Sequence, residues 1–168
     1  LIGSKGAYAY LSGFLDGGES FRLKPVTVAA DAAHPKVFAA SEGGFRISAV
    51  PVTHSIIPAL GWRVEKDGCA VVFSSSTSNM GRTLDKIAAD ADLLVAHNAI
   101  PEGSTDRVVL KLHMMPSEIG RIAAAAHAKS VVLSHFMNRT ENVMQETAAA
   151  IGSRYKGKLN FARDCDIY

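Results

Sequence analysis

Three short apolar runs in this chain each end in a histidine, and that pattern restricts the possible folds more than any other feature. Val131-Val132-Leu133 leads through Ser134 to His135, Val50-Pro51-Val52-Thr53 leads to His54, and Leu93-Leu94-Val95-Ala96 leads to His97. Runs of this length, rich in β-branched and aliphatic residues, read as buried strands. Their ends are the rim at which α/β proteins hold ligands. A single strand-end histidine is satisfied by one loop carbonyl. Repetition at three tips favours a shared pocket.

The rest of the chain supplies elements to pack around those runs. Residues 26–28 and the alternating residues 45–50 read as adjacent antiparallel strands, separated by a turn at 31–36 around Pro35. Residues 59–65 and 69–73 form a hairpin about Lys66-Asp67-Gly68, and polar residues 74–79 follow as a loop. Leu84, Ile87, Ala88 and Ala91 fall on one helical face, which predicts a helix over 80–91. Residues 98–112 read as an irregular crossing. Pro116 suits the first turn of a helix burying Ile119, Ile122, Ala123 and Ala126. Thr140 is the expected N-cap of a third helix with Val143, Thr147, Ala148 and Ile151 inward, and residues 158–163 make a last strand. Residues 1–22, punctuated by glycine, read as a loop or connection, so 23–168 is the folding unit. The class is α/β.

Composition bounds the function. A chain of 168 residues with 48% hydrophobic content holds one well-packed domain. Its net charge of +2 is spread along the chain and makes no sustained basic face for nucleic acid. Cys69 and Cys165 are far apart with no metal or redox spacing, which suits a reducing, cytoplasmic setting. No apolar run approaches a membrane span, and the first residues lack the order of a signal peptide. Because residue 1 is leucine, the chain is expected to be the C-terminal part of a longer product.

Neutral imidazole is a common transition-metal ligand, which makes His54 and His135 the metal candidates. His113, before the Pro116 helix, can give a proton to a leaving group or make a local hydrogen bond. His34, in a turn, and His127 read as surface residues. The run Ser74 to Thr77 either cradles an anion at a helix start or caps the loop with its hydroxyls. Ser76 has no adjacent base and no G-x-S-x-G elbow, so it is no nucleophile.

Five stretches together resemble the metallo-β-lactamase fold hydrolases, in the branch containing ribonuclease Z and related phosphodiesterases. They are PVTHSIIPALGWRVE, AVVFSSSTS against F-S-G-D-T, LLVAHNA against V-H-E-A, KLHMMPSEIGRIAAAA against G-H-x-[ST] and its helix, and VVLSHFMNR. The resemblance covers residues 45–168. It implies the C-terminal half of an αββα sandwich, with a mixed sheet and flanking helices. It also implies two zinc ions, or manganese or iron, with His54 on one and His135 on the other. His113 would stand near the scissile phosphate as general acid, with His97 and Asn98 supporting the ligands from behind.

The implied substrate is an RNA phosphodiester or a small ester. Two family carboxylates are absent: Ser76 stands where the metal-bridging aspartate belongs, and Asn98 where a glutamate follows the histidine. No H-x-H-x-D-H occurs in the chain. The expectation is therefore a truncated or degenerate hydrolase, inactive by itself and assembled as a homodimer or domain-swapped pair. The alternative is a non-catalytic scaffold that binds a small anion or a protein partner.

Overall fold

The computed structural model describes residues 2–3, 11–14, 18, 24–29 and 38–168. The main body is a mixed seven-stranded sheet in the order β3-β4-β5-β6-β7-β8-β9. Its strands are β3 (Phe38–Glu42), β4 (Phe45–Val52), β5 (Ala59–Lys66), β6 (Cys69–Phe73), β7 (Leu93–His97), β8 (Ser130–Ser134) and β9 (Lys158–Phe161). From β3 to β6 neighbours are antiparallel, and from β6 to β9 they are parallel. Asp67 and Gly68, both left-handed at φ 51° and 80°, close the β5–β6 hairpin as a two-residue turn. Positive φ at both central residues gives the turn whose twist matches that of its strands.

Direction along the sheet fixes where the histidines emerge. β4 runs antiparallel to β5, and β5 antiparallel to β6, so β4, β6, β7 and β8 all finish at one end of the sheet. That end receives His54, the loop after Phe73, His97 and His135.

Helices α1 (Asp85–Ala88), α2 (Pro116–Ala125), α3 (Asn138–Glu141) and α4 (Met144–Gly152) occupy the crossovers. Leu84, Ile87, Leu94, Ile119, Ile122, Leu133 and Ile151 form the centre of the core with at most 4% exposure each. Parallel strands need such crossovers, and burial of these side chains holds them in place.

Several sequence expectations change. Residues Val26–Thr27, here β2, pair in parallel with β1 (Ile2–Gly3) in a separate two-stranded sheet, not with the 45–50 strand. Between β4 and the sheet edge stands β3, which lacks an alternating apolar pattern, while β5 pairs on the other side of β4. Most of segment 1–22 and the 31–36 turn lie outside the described residues.

The helix expected over 80–91 shrinks to Asp85–Ala88, because Asn79 and Arg82 are left-handed at φ 52° and 51° and Asp90 at 50°. The Asn79 side chain accepts the Leu84 N–H at 3.3 Å and so ends the loop. Thr140 caps from within the short α3, its hydroxyl meeting the Met137 N–H at 2.9 Å, while the longer helix begins at Met144. Thr147 and Ile151 are buried on its inner face as the spacing requires.

Candidate active site

Four histidines meet at the common end of the strands. The His113 ring lies centrally, with centroids 5.6 Å from His54, 5.2 Å from His97 and 6.3 Å from His135. His34 lies outside the described residues, and His127 is an exposed neighbour of Asp90 at 3.6 Å.

His97 is the fixed member. It is 4% exposed, and its Nε2 accepts the Met114 N–H at 3.3 Å. A nitrogen that accepts carries no proton, so the proton sits on Nδ1, 3.3 Å from the Ser74 hydroxyl oxygen. That oxygen also accepts the His97 backbone N–H at 3.2 Å, while its own hydrogen goes to the Ser75 carbonyl at 2.7 Å. Burial first, then the neighbouring His113, holds His97 neutral with its pKa lowered to about 3. Both ring nitrogens are thereby committed. The residue ties the 74–77 loop to the segment that presents His113.

His113 follows the 3-10 turn Val109–Lys111, to which its own N–H bonds at Val109 O, 2.9 Å away. Its Nδ1 is buried without a hydrogen-bond partner. Burial, then His54, Arg139 and His135, lowers its pKa to about 4. His54 sits in a turn with Ser55 at φ 54°, and the Ser55 N–H donates to Lys111 O at 3.0 Å, drawing the His54 and His113 segments together. Burial and then His135 lower the His54 pKa.

His135 itself is left-handed at φ 58° and exposed. The preceding Ser134 pairs in register with His97, and its carbonyl accepts the Asn98 N–H at 2.7 Å. Left-handed non-glycine residues at strand ends store strain that gathers at functional sites.

The serine-rich loop divides by role. Ser75 donates to Leu60 O at 2.6 Å, Thr77 to Thr53 O at 2.9 Å and Ser78 to Thr53 O at 3.3 Å, so these hydroxyls hold the loop to β4 and β5. Ser76 makes no hydrogen bond among the described residues. It lines a cavity of about 260 Å³ with Phe73, Ser74, Ser75, Val95, His97, Ser134 and His135. Among the described residues, no carboxylate lines that cavity. Asn98 is fully buried with neither side-chain amide atom bonded.

Among the described residues, no group of three or more His, Cys, Asp or Glu side chains is arranged to hold a metal ion. The donor set is imidazole with no anion. The unsatisfied Nδ1 of His113 shows that a polar partner is wanted there, but these residues alone do not fit a pair of divalent cations.

Sequence reasoning missed Asn79, whose amide donates to Asp85 at 3.2 Å and Glu118 at 3.0 Å and so steadies the loop beneath the histidines. A polar residue before a helix was its only trace in the sequence.

Comparison with known proteins agrees with this fold. The family described as "Beta-lactamase superfamily domain" matches residues 10–136. Ribonuclease Z of Mycobacterium tuberculosis (strain H37Rv) is 26% identical over 130 residues, covering 72% of this chain and 47% of that protein. The metallo-β-lactamase fold protein YhfI from Bacillus subtilis superposes with a TM-score of 0.77 at 18% identity, over 99% of this chain and 63% of that one. Human tRNase Z, short form, gives a TM-score of 0.62 at 18% identity, over 97% and 64% of the two chains. The chain spans about half the length of the curated relatives it matches. With its mixed sheet, flanking helices and matched residues 10–136, the chain belongs to the β-lactamase superfamily domain family and is a ribonuclease Z-like protein of the metallo-β-lactamase fold.

Proposed function

We propose that this chain carries the imidazole side of a metal-dependent hydrolase site for a phosphodiester or related ester, and that by itself it is a poor catalyst. The observation that carries the reading is the gathering of His54, His113 and His135 from three separate segments around one point, backed by the committed His97. The ribonuclease Z relatives point to a phosphodiester as the substrate class. In such a site His54 and His135 are the metal-facing donors. Metal ions held there would supply Lewis-acid polarisation of the ester and an activated water.

The poor activity of the isolated chain follows from charge. Two divalent ions about 4 Å apart repel by on the order of 15 kcal/mol at an effective dielectric near 20. Ser76 offers no charge to offset that repulsion. His113, with its pKa lowered to about 4, is neutral near pH 7 and there acts as a hydrogen-bond donor or proton acceptor. An anionic ester beside it favours its protonated form and lets it assist departure of the leaving group.

Hydrolysis of bis(p-nitrophenyl) phosphate in excess zinc or manganese tests this. Wild type is expected near background. Ser76→Asp is expected to exceed it at least tenfold, with the gain lost in Ser76→Asp/His113→Ala. Full turnover by wild type, or no gain in a folded, metal-loaded Ser76→Asp variant, contradicts the reading.

A further inference from the structure

We propose that the groove between the C-terminal ends of α2 and α4 docks an acidic peptide segment of a partner protein, with Arg154 and Arg121 as its anchors. The groove lies at the end of the sheet opposite the histidines, where the Asp90 N–H bonds the Ala126 carbonyl at 2.6 Å just before β7 begins. The inference goes beyond the hydrolase reading and does not depend on it.

Helix packing opens the groove. α2 and α4 meet backbone to backbone at Gly120 and Ile151, where an added Cβ would come within 2.7 Å of a carbonyl oxygen. Further along, α2 offers only Ala124 and Ala125, and α4 has ended at Gly152. The short side chains leave a cavity of about 560 Å³ lined by Arg121, Ala124, Ala125, Ser153 and Arg154. Methyl groups are thus flanked by two guanidinium groups.

The two arginines differ in how far their donors are spent. Arg121 gives Nε to Glu118 and Nη2 to Glu118 and Asp85, at distances between 2.8 and 3.0 Å. Those bonds fix its plane and leave Nη1 buried without a partner. The exposed Arg154 side chain has no hydrogen bond or ion pair among the described residues.

Nor does the end of α4 need Arg154. The Ala149 carbonyl accepts the Ser153 N–H at 2.9 Å, and the Ala150 carbonyl accepts the Ser153 hydroxyl at 2.7 Å. The Ile151 carbonyl takes the Arg154 and Tyr155 N–H groups, and Lys156 Nζ donates to the Gly152 carbonyl. With the helix end satisfied, the Arg154 fork is left for an external acceptor.

Charge selects the occupant. Among the described residues no acidic side chain lines the groove, and residues 147–163 contain no Asp or Glu while Arg154, Lys156 and Lys158 fall among them. A carboxylate meets the arginine fork with both oxygens, and the alanine methyls receive the aliphatic stem of a glutamate. No aromatic side chain lines the groove to stack a base, which favours an acidic peptide over a nucleic acid. A volume of about 560 Å³ exceeds what one carboxylate fills, so the occupant carries more than one acid.

Fluorescence anisotropy of fluorescein-labelled hexaglutamate, titrated with the full chain at pH 7 and about 0.05 M salt, tests the proposal. Saturable binding is expected for wild type. Arg154→Ala should weaken it about three- to tenfold and Arg154→Glu at least tenfold, while Arg154→Lys, which keeps the charge and loses the fork, should weaken it about threefold. Ala125→Glu, an exposed change on the other helix, should also weaken it at least tenfold. Arg107→Ala removes the same charge at the histidine end and should leave binding unaltered. Matching urea midpoints confirm that the variants are folded.

Absence of saturable binding up to millimolar peptide overturns the proposal, as does equal weakening by Arg107→Ala and Arg154→Ala. Displacement of the probe by free glutamate at equal carboxylate concentration overturns it in favour of a small-anion site. Displacement by oligouridylate at equal charge overturns it in favour of a general polyanion surface.

Discussion

His97 sets the behaviour of the cluster at the level of single residues. Its folded pKa of about 3 lies below the ordinary 6.5, so between those values the unfolded chain takes up a proton that the folded chain refuses. Stability therefore rises with pH across that window and is lost as pH falls through it. Metal-free protein is expected to be about 2 kcal/mol less stable at pH 5 than at pH 7 from this group alone. Urea unfolding at the two pH values measures it, and His97→Gln should flatten the difference while lowering stability overall.

Two buried asparagines make a second contrast. Asn98 has no side-chain bonds, so Asn98→Leu should be neutral or stabilising by up to about 1 kcal/mol. Asn79 bonds Asp85, Glu118 and the Leu84 N–H, so Asn79→Leu should cost about 2–4 kcal/mol. Equal urea midpoints for the two variants would contradict this. Position in the sequence told of the strand-end histidines because each closes an apolar run. The place of His113 was legible only through the family resemblance, since a crossing loop and not a strand end aims it.

Helix packing governs at the level of elements. A Cβ on Gly120 in α2 would lie 2.7 Å from the Ile151 carbonyl oxygen of α4, backbone against backbone, so neither side can yield without moving a helix. Gly120→Ala is expected to cost about 2–3 kcal/mol, lowering Tm by roughly 5–10 °C. Gly152→Ala meets nothing within 4 Å and should leave Tm unchanged or slightly raised. Calorimetry of the two variants decides it.

The parallel strands and the inward faces of α2 and α4 were legible from apolar spacing. The shortening of α1 was not, because left-handed Asn79 and Arg82 interrupt it while the apolar stripe runs on unchanged. β3 escaped notice because Phe-Ala-Ala-Ser-Glu shows no period, and β2 was assigned the wrong partner because pairing depends on where the chain travels, not on local pattern.

At the scale of the whole molecule, the strand directions deliver imidazoles and serine hydroxyls to one end of the sheet, and among the described residues no carboxylate lines the cavity there. That asymmetry separates family membership, which the fold and the matched residues carry, from the proposed catalysis, for which the described residues at this end supply no negative charge. No helix among the described residues is long and apolar enough to cross a membrane. The central claim is that these histidines, without an anionic partner, do not retain a metal pair. Elemental analysis of the full chain, purified without chelator, tests it most directly: fewer than one zinc, manganese or iron ion per chain is the expected result, and about two per chain would contradict it.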